Sequence, residues 1–68
     1  MSVARITEIK STSKKSFDDA VQVGIARANK TLNNVRGAWV KEMEVECGAD
    51  GTIAEYRVLM KVTFVLED

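Results

Sequence analysis

The sequence predicts an α+β fold of order β-α-β-β, in which a three-stranded antiparallel sheet wraps one amphipathic helix. Three observations carry that prediction. Between Lys14 and Asn33, apolar residues recur at intervals of three and four, the spacing of a helical stripe. The dipeptide Asp50-Gly51 separates two long segments whose apolar residues alternate, as they do in two strands joined by a hairpin turn. Near the N-terminus lies a short run rich in β-branched side chains, Val3 to Lys10. With 68 residues the chain is read as a single domain over 1–68, near the lower limit for a self-sufficient hydrophobic core. Association with further copies is a usual remedy at this size.

The first strand, VARITEIK, gives way to Ser11, Thr12 and Ser13, whose hydroxyls can accept hydrogen bonds from the unpaired amides of a helix start; Ser13 is the expected N-cap. In the helix that follows, Phe17, Val21, Ile25, Ala28 and Leu32 form the stripe, with Ala20 and Gly24 beside it. Lys15, Asp18, Gln22, Asn29 and Lys30 fall on the other side, so the helix lies on a sheet. Gly24 in a helix interior costs roughly 1 kcal/mol relative to Ala, and close packing on the sheet is its expected reason. Asn33 and Asn34 end the helix, because Asn tolerates the left-handed conformation.

The hairpin runs from Val35 to Gly48, through Ala49-Asp50-Gly51-Thr52, and from Ile53 to Glu67. In its second strand Tyr56, Val58, Met60, Val62, Phe64 and Leu66 share the core parity; Glu55, Arg57, Leu59, Lys61, Thr63 and Val65 point the other way. A two-residue loop at Asp50-Gly51 sets Cys47 opposite Ala54, Val45 opposite Tyr56, Met43 opposite Val58 and Glu44 opposite Arg57, so apolar residues meet and an acid meets a base. Extended unchanged, that register would carry Trp39 into the core and Val40 out of it. A β-bulge near Lys41-Glu42 corrects the phase and places Trp39 outside with Leu59 and Lys61. Such a strand spans ~50 Å if straight, so the sheet curls around the helix, which covers one face only. The other face carries Trp39, Leu59 and Val65 among charged residues, the composition of an interface.

Ten basic and ten acidic residues cancel, which removes the broad positive field that nucleic-acid or anionic-membrane binding needs. An apolar share of 46% with 29% charged residues is that of a folded soluble domain. No apolar run approaches the ~20 residues of a membrane span, and no charged n-region precedes an apolar segment, so a cytoplasmic protein is expected. The single cysteine, Cys47, offers neither a disulfide nor a zinc site and is expected to be a small buried residue. Without any histidine, with serines that have no base partner, and with Glu42 and Glu44 reading as a charged strand face, the chain is not expected to be an enzyme.

The segments ITEIKSTSKKSFDDAVQ, ARANKTLNNVRGAWVKEMEV and EYRVLMKVTFVLED, in that order and spacing, resemble the dodecin family over nearly the whole chain. The resemblance implies a non-catalytic β-α-β-β protomer assembled as a hollow homododecamer that binds and stores a small ligand. In typical members flavin rings are sandwiched between tryptophans. The position of the stacking Trp is Gly37 here, and that of the Gln that hydrogen-bonds the flavin is Arg57, so the flavin site is degenerate. Trp39, two residues on and on the same strand face, takes the place of an aromatic wall for a flavin (FMN or riboflavin) in an altered pose; Glu44 is the expected partner of Arg57. The loss of the stacking Trp and the Tyr56-Arg57 pair also resemble the calcium dodecins, which implies calcium as an alternative ligand; the chain offers Glu42, Glu44 and Glu46 on one strand parity and Asp50 in the turn, without a D-x-D-x-D-G loop, so no metal ligand set is assigned. Coenzyme A, or an assembly without a small ligand in which Trp39 anchors a subunit contact, completes the set of readings left open.

Overall fold

A computed structural model describes residues 3–66. Strand β1 (Val3–Ser13) leads to helix α1 (Phe17–Leu32), and a long hairpin, β2 (Val35–Cys47) and β3 (Ile53–Leu66), completes the chain. The strands form one antiparallel sheet of order β1-β3-β2, so β3 is the centre and β1 and β2 are both edges. The α+β fold expected from the pattern is therefore present. The expected extension of the last strand to Glu67 lies outside the described residues.

The core is built on β3. Val58, Met60 and Val62 are 0% exposed and pack with Ala20 of the helix; Ile9, Phe17, Val21, Ile25, Leu32, Val35 and Val40 close around them. Each of the three fully buried side chains Val58, Met60 and Val62 contributes ~1.5–3 kcal/mol by leaving water. The centre of the helix stripe is its small residues, Ala20, Gly24 and Ala28, with the larger apolar residues on its flanks. Gly24 shows why: a Cβ there would stand 2.8 Å from Ser11 Cβ and 2.9 Å from Met60 Cε, so the helix backbone sits directly on β1 and β3. Leu66 keeps the core parity but is exposed at the end of the sheet.

The helix start corrects one expectation. β1 does not stop at Lys10; its ladder with β3 continues to the Ser13–Tyr56 pair, which turns the Ser13 side chain inward. There Ser13 Oγ accepts from the amides of Lys15 (2.9 Å) and Ser16 (3.4 Å) and donates to Asp19 Oδ2 (2.6 Å). The N-cap is Ser16, whose hydroxyl accepts from the Asp19 amide at 2.9 Å. At the other end Asn33 and Asn34 take positive φ, 60° and 50°, and the Asn33 amide donates to Asn29 O, ending the helix as expected.

The hairpin turn is a three-residue loop, Ala49-Asp50-Gly51, rather than a two-residue one. The Gly48 amide donates to Thr52 O and the Gly51 amide to Gly48 O, with Gly51 at φ 84°. Cys47 therefore pairs with Ile53, not Ala54. An irregularity between Glu46 and Cys47 then leaves Ala54 unpaired and restores the expected register, with Val45 opposite Tyr56, Glu44 opposite Arg57 and Met43 opposite Val58. The two one-residue errors cancel. The bulge at Lys41 is present, between the Val40–Met60 and Glu42–Leu59 pairs, and a further one falls at Arg36.

The protomer is elongated, 52 × 19 × 14 Å, because the hairpin outruns the helix. The helix lies mainly over β1 and β3, so the inner face of β2 towards the turn has nothing packed on it. Met43 is 55% exposed and Val45 and Ile53 are also open. Cys47, expected to be buried, is exposed for the same reason, and Ala38 keeps the inner parity without being covered.

Candidate functional site

The sheet face away from the helix is ordered by the β-ladder into rows, each with one residue from β1, β3 and β2. From the turn end they read Thr12–Arg57–Glu44, Lys10–Leu59–Glu42, Glu8–Lys61–Trp39 and Ile6–Thr63–Gly37. The bulge at Lys41 lets these rows alternate correctly on both sides of it. Without that extra residue, either the glutamates or Trp39 would fall on the inner face.

The turn-side half is an ion-pair network centred on Arg57. Its guanidinium is bonded to Glu46, with Glu44 at 3.7 Å and Glu55 at 3.5 Å. The hydrogen bond and charge of Glu46, then the charges of Glu44 and Glu55, hold the guanidinium pKa above its ordinary value. Glu44 also takes the Lys10 ammonium at 3.4 Å, reaching across β3. Glu44 is thus a partner of Arg57, as the register implied, but Glu46 is the closer one. A depression of about 530 Å³ lies here, lined by Lys10, Glu42, Met43, Glu44, Arg57, Val58 and Leu59. Among the described residues, no three His, Cys, Asp or Glu side chains come together so as to hold a metal ion.

The other half is aromatic and open. Trp39 is 68% exposed, and the ammonium of Lys61, directly opposite it, lies 5.8 Å from the ring centroid. An exposed indole of this kind adds nothing to the protomer's own core. Beside it, a Cβ placed on Gly37 would meet nothing within 4 Å, so a strip of bare backbone adjoins the ring. Ile6, 62% exposed, continues the apolar surface across β3.

The four residues singled out from the sequence therefore share one face but not one cluster. Gly37 with Trp39, and Arg57 with Glu44, form two groups separated by the Leu59 row. Sequence reasoning assigned no role to Lys10, Glu55 or Lys61, and took Glu46 only as an oxygen available to calcium, not as the partner of Arg57. Their parity on the strands was visible; the choice of partner was not, because it depends on β3 lying between β1 and β2.

Comparison with known proteins matches the Dodecin family model to residues 3–67. The dodecin of Thermus thermophilus is 36% identical over 66 residues, covering 97% of this chain and 94% of that protein. Among solved structures, the dodecin of Streptomyces davaonensis is 39% identical with a TM-score of 0.93, covering 98% of this chain and 97% of that one. The calcium dodecin of Mycobacterium tuberculosis, a calcium-chelating antigen, is 28% identical with a TM-score of 0.82, covering 96% and 91%. Fold, length and sequence agree along the whole described chain, and the protein belongs to the dodecin family.

Proposed function

We propose that the chain is a cytoplasmic, non-catalytic protein that assembles as a homododecamer and binds and stores a small planar ligand on its uncovered sheet face. Trp39 is the aromatic wall and Gly37 the gap that replaces the family's stacking Trp. Arg57, tied to Glu44 and Glu46, stands where the flavin-bonding amide would be. The ligand favoured by this reading is a flavin in an altered pose. One observation carries it: a 68% exposed indole beside open glycine backbone, on the face that the helix leaves bare. No described helix is long and apolar enough to cross a membrane, which agrees with a protein outside the bilayer core.

Riboflavin fluorescence tests the reading. Titration with micromolar protein is expected to quench the emission, and Trp39→Ala to abolish most of that quenching. Unchanged emission with the wild-type protein discards the flavin. Calcium is the second reading, supported by the Mycobacterium relative and by Glu42, Glu44 and Glu46 on one strand face. It ranks lower because the Arg57 guanidinium already occupies the centre of the carboxylates. Calorimetric heats no larger than dilution on adding calcium eliminate it. If both titrations are silent and the oligomer persists, Trp39 is an assembly anchor only.

A further inference from the structure

The turn end of the β2–β3 hairpin has little apolar packing to hold it shut. The helix does not reach it, so Met43, Val45 and Ile53 stand open on its inner face. Its ladder is interrupted as well, because Ala54 is unpaired between the Cys47–Ile53 and Glu46–Glu55 pairs. The pair beside that gap sets two carboxylates directly opposite each other, an arrangement that pushes strands apart. Among the described residues on the outer face of this end, Glu42, Glu44 and Glu46 of β2 and Glu55 of β3 outnumber the cations, Arg57 of β3 and Lys10 of β1. Thr12, opposite Arg57 on β1, is neutral, and Asp50 in the turn is bonded to Thr52.

Arg57 answers three of these carboxylates at once. Its guanidinium is bonded to Glu46 and lies 3.5 Å from Glu55 and 3.7 Å from Glu44. Glu44 and Glu46 belong to the facing strand and Glu55 to its own, so a single cation bridges β2 and β3 and neutralises the opposed pair. We infer that Arg57 is an electrostatic latch, which keeps the two strands closed where the helix does not cover them and whose loss lets the hairpin end open locally while the core stays intact. The latch needs no ligand, so its test stands apart from the flavin reading.

Amide hydrogen exchange of the assembled protein at neutral pH reads such local opening. Arg57→Gln should speed exchange of residues 45–56 about fivefold, the size of one charge contact in water, and leave the amides of Val58, Met60 and Val62 unchanged. Adding Glu46→Gln and Glu55→Gln to that variant removes the repulsion and should return the hairpin end towards its wild-type rates. Salt at about 0.5 M should speed the wild-type hairpin end and slow that of Arg57→Gln, because it screens an attraction in one and a repulsion in the other. Unchanged exchange in Arg57→Gln overturns the latch, as does acceleration shared equally by the core amides. Rates that stay fast in the triple variant also overturn it, since they would mark lost packing of the Arg57 side chain rather than lost charge. If Arg57→Gln does not fold, the wild-type salt response decides, and hairpin-end exchange that does not rise with salt contradicts the inference.

Discussion

The two faces of β3 differ more than any other two surfaces of the molecule. On one side Val58, Met60 and Val62 are completely buried under a helix whose small residues bring its backbone onto the sheet. On the other, one residue out of phase, Arg57, Leu59 and Lys61 stand in rows of charges and an open indole. The same fourteen residues serve as the floor of a core and as an exposed platform. The lesson is one of supply: a chain of 68 residues has one helix to spend, and the face that it does not cover must be satisfied by charge pairing, by ligands or by other copies.

That contrast can be broken from the inside first. Met60→Ala removes a fully buried side chain at the centre of the core and is expected to cost about 2–5 kcal/mol in urea unfolding, the largest effect of any single truncation considered. Gly24→Ala should also destabilise, by about 1–3 kcal/mol of overpacking less the better helix propensity of Ala, because the new methyl meets Ser11 Cβ at 2.8 Å. A stabilised Gly24→Ala variant would show that the helix rides higher on the sheet than described. Ser13→Ala removes the acceptor for the Lys15 and Ser16 amides and the donor to Asp19, an expected loss of about 1 kcal/mol by thermal melting.

On the outer face the expected effects on unfolding are small. Glu44→Gln should change stability by no more than about 0.5 kcal/mol, since its ion pairs are exposed and Arg57 keeps Glu46 and Glu55. A larger loss would mean that the network braces the fold. The smallest effect belongs to the turn. The Thr52 hydroxyl and amide donate to Asp50 Oδ1 and lower the carboxyl pKa from its ordinary 3.8. A depressed folded pKa gives a contribution that is present above 3.8 and lost as pH falls through the lower folded value. Chemical shifts of the turn amides should follow that titration, and Asp50→Asn should remove it.

Much of this architecture was legible because its signals are local and periodic. The helix stripe, the Asn33-Asn34 stop and the parity of β3 follow from spacing alone, and the bulge at Lys41 follows from a phase change between Val40 and Met43 that no regular strand accommodates. The misreadings have a common cause: they depend on distances across the fold. Ser13 looked like an N-cap until the ladder to Tyr56 turned it inward. Cys47 looked like a core residue until the hairpin extended past the helix. The turn was one residue longer than Asp50-Gly51 suggests, and the unpaired Ala54 hid the difference from every pair beyond it. For the site, Trp39 and the Arg57–Glu44 pair could be read from register. The Lys41–Glu8 pair, which reaches across β3, needs the strand order β1-β3-β2.

The central claim is that the bare face of the sheet is sheltered by further copies of the chain. Static light scattering of the purified protein, at micromolar concentration and moderate salt, tests it most directly. The expected mass is about 90 kDa, twelve times the 7.5 kDa chain. A stable species of one or two chains, with Trp39 still open to solvent, would contradict it.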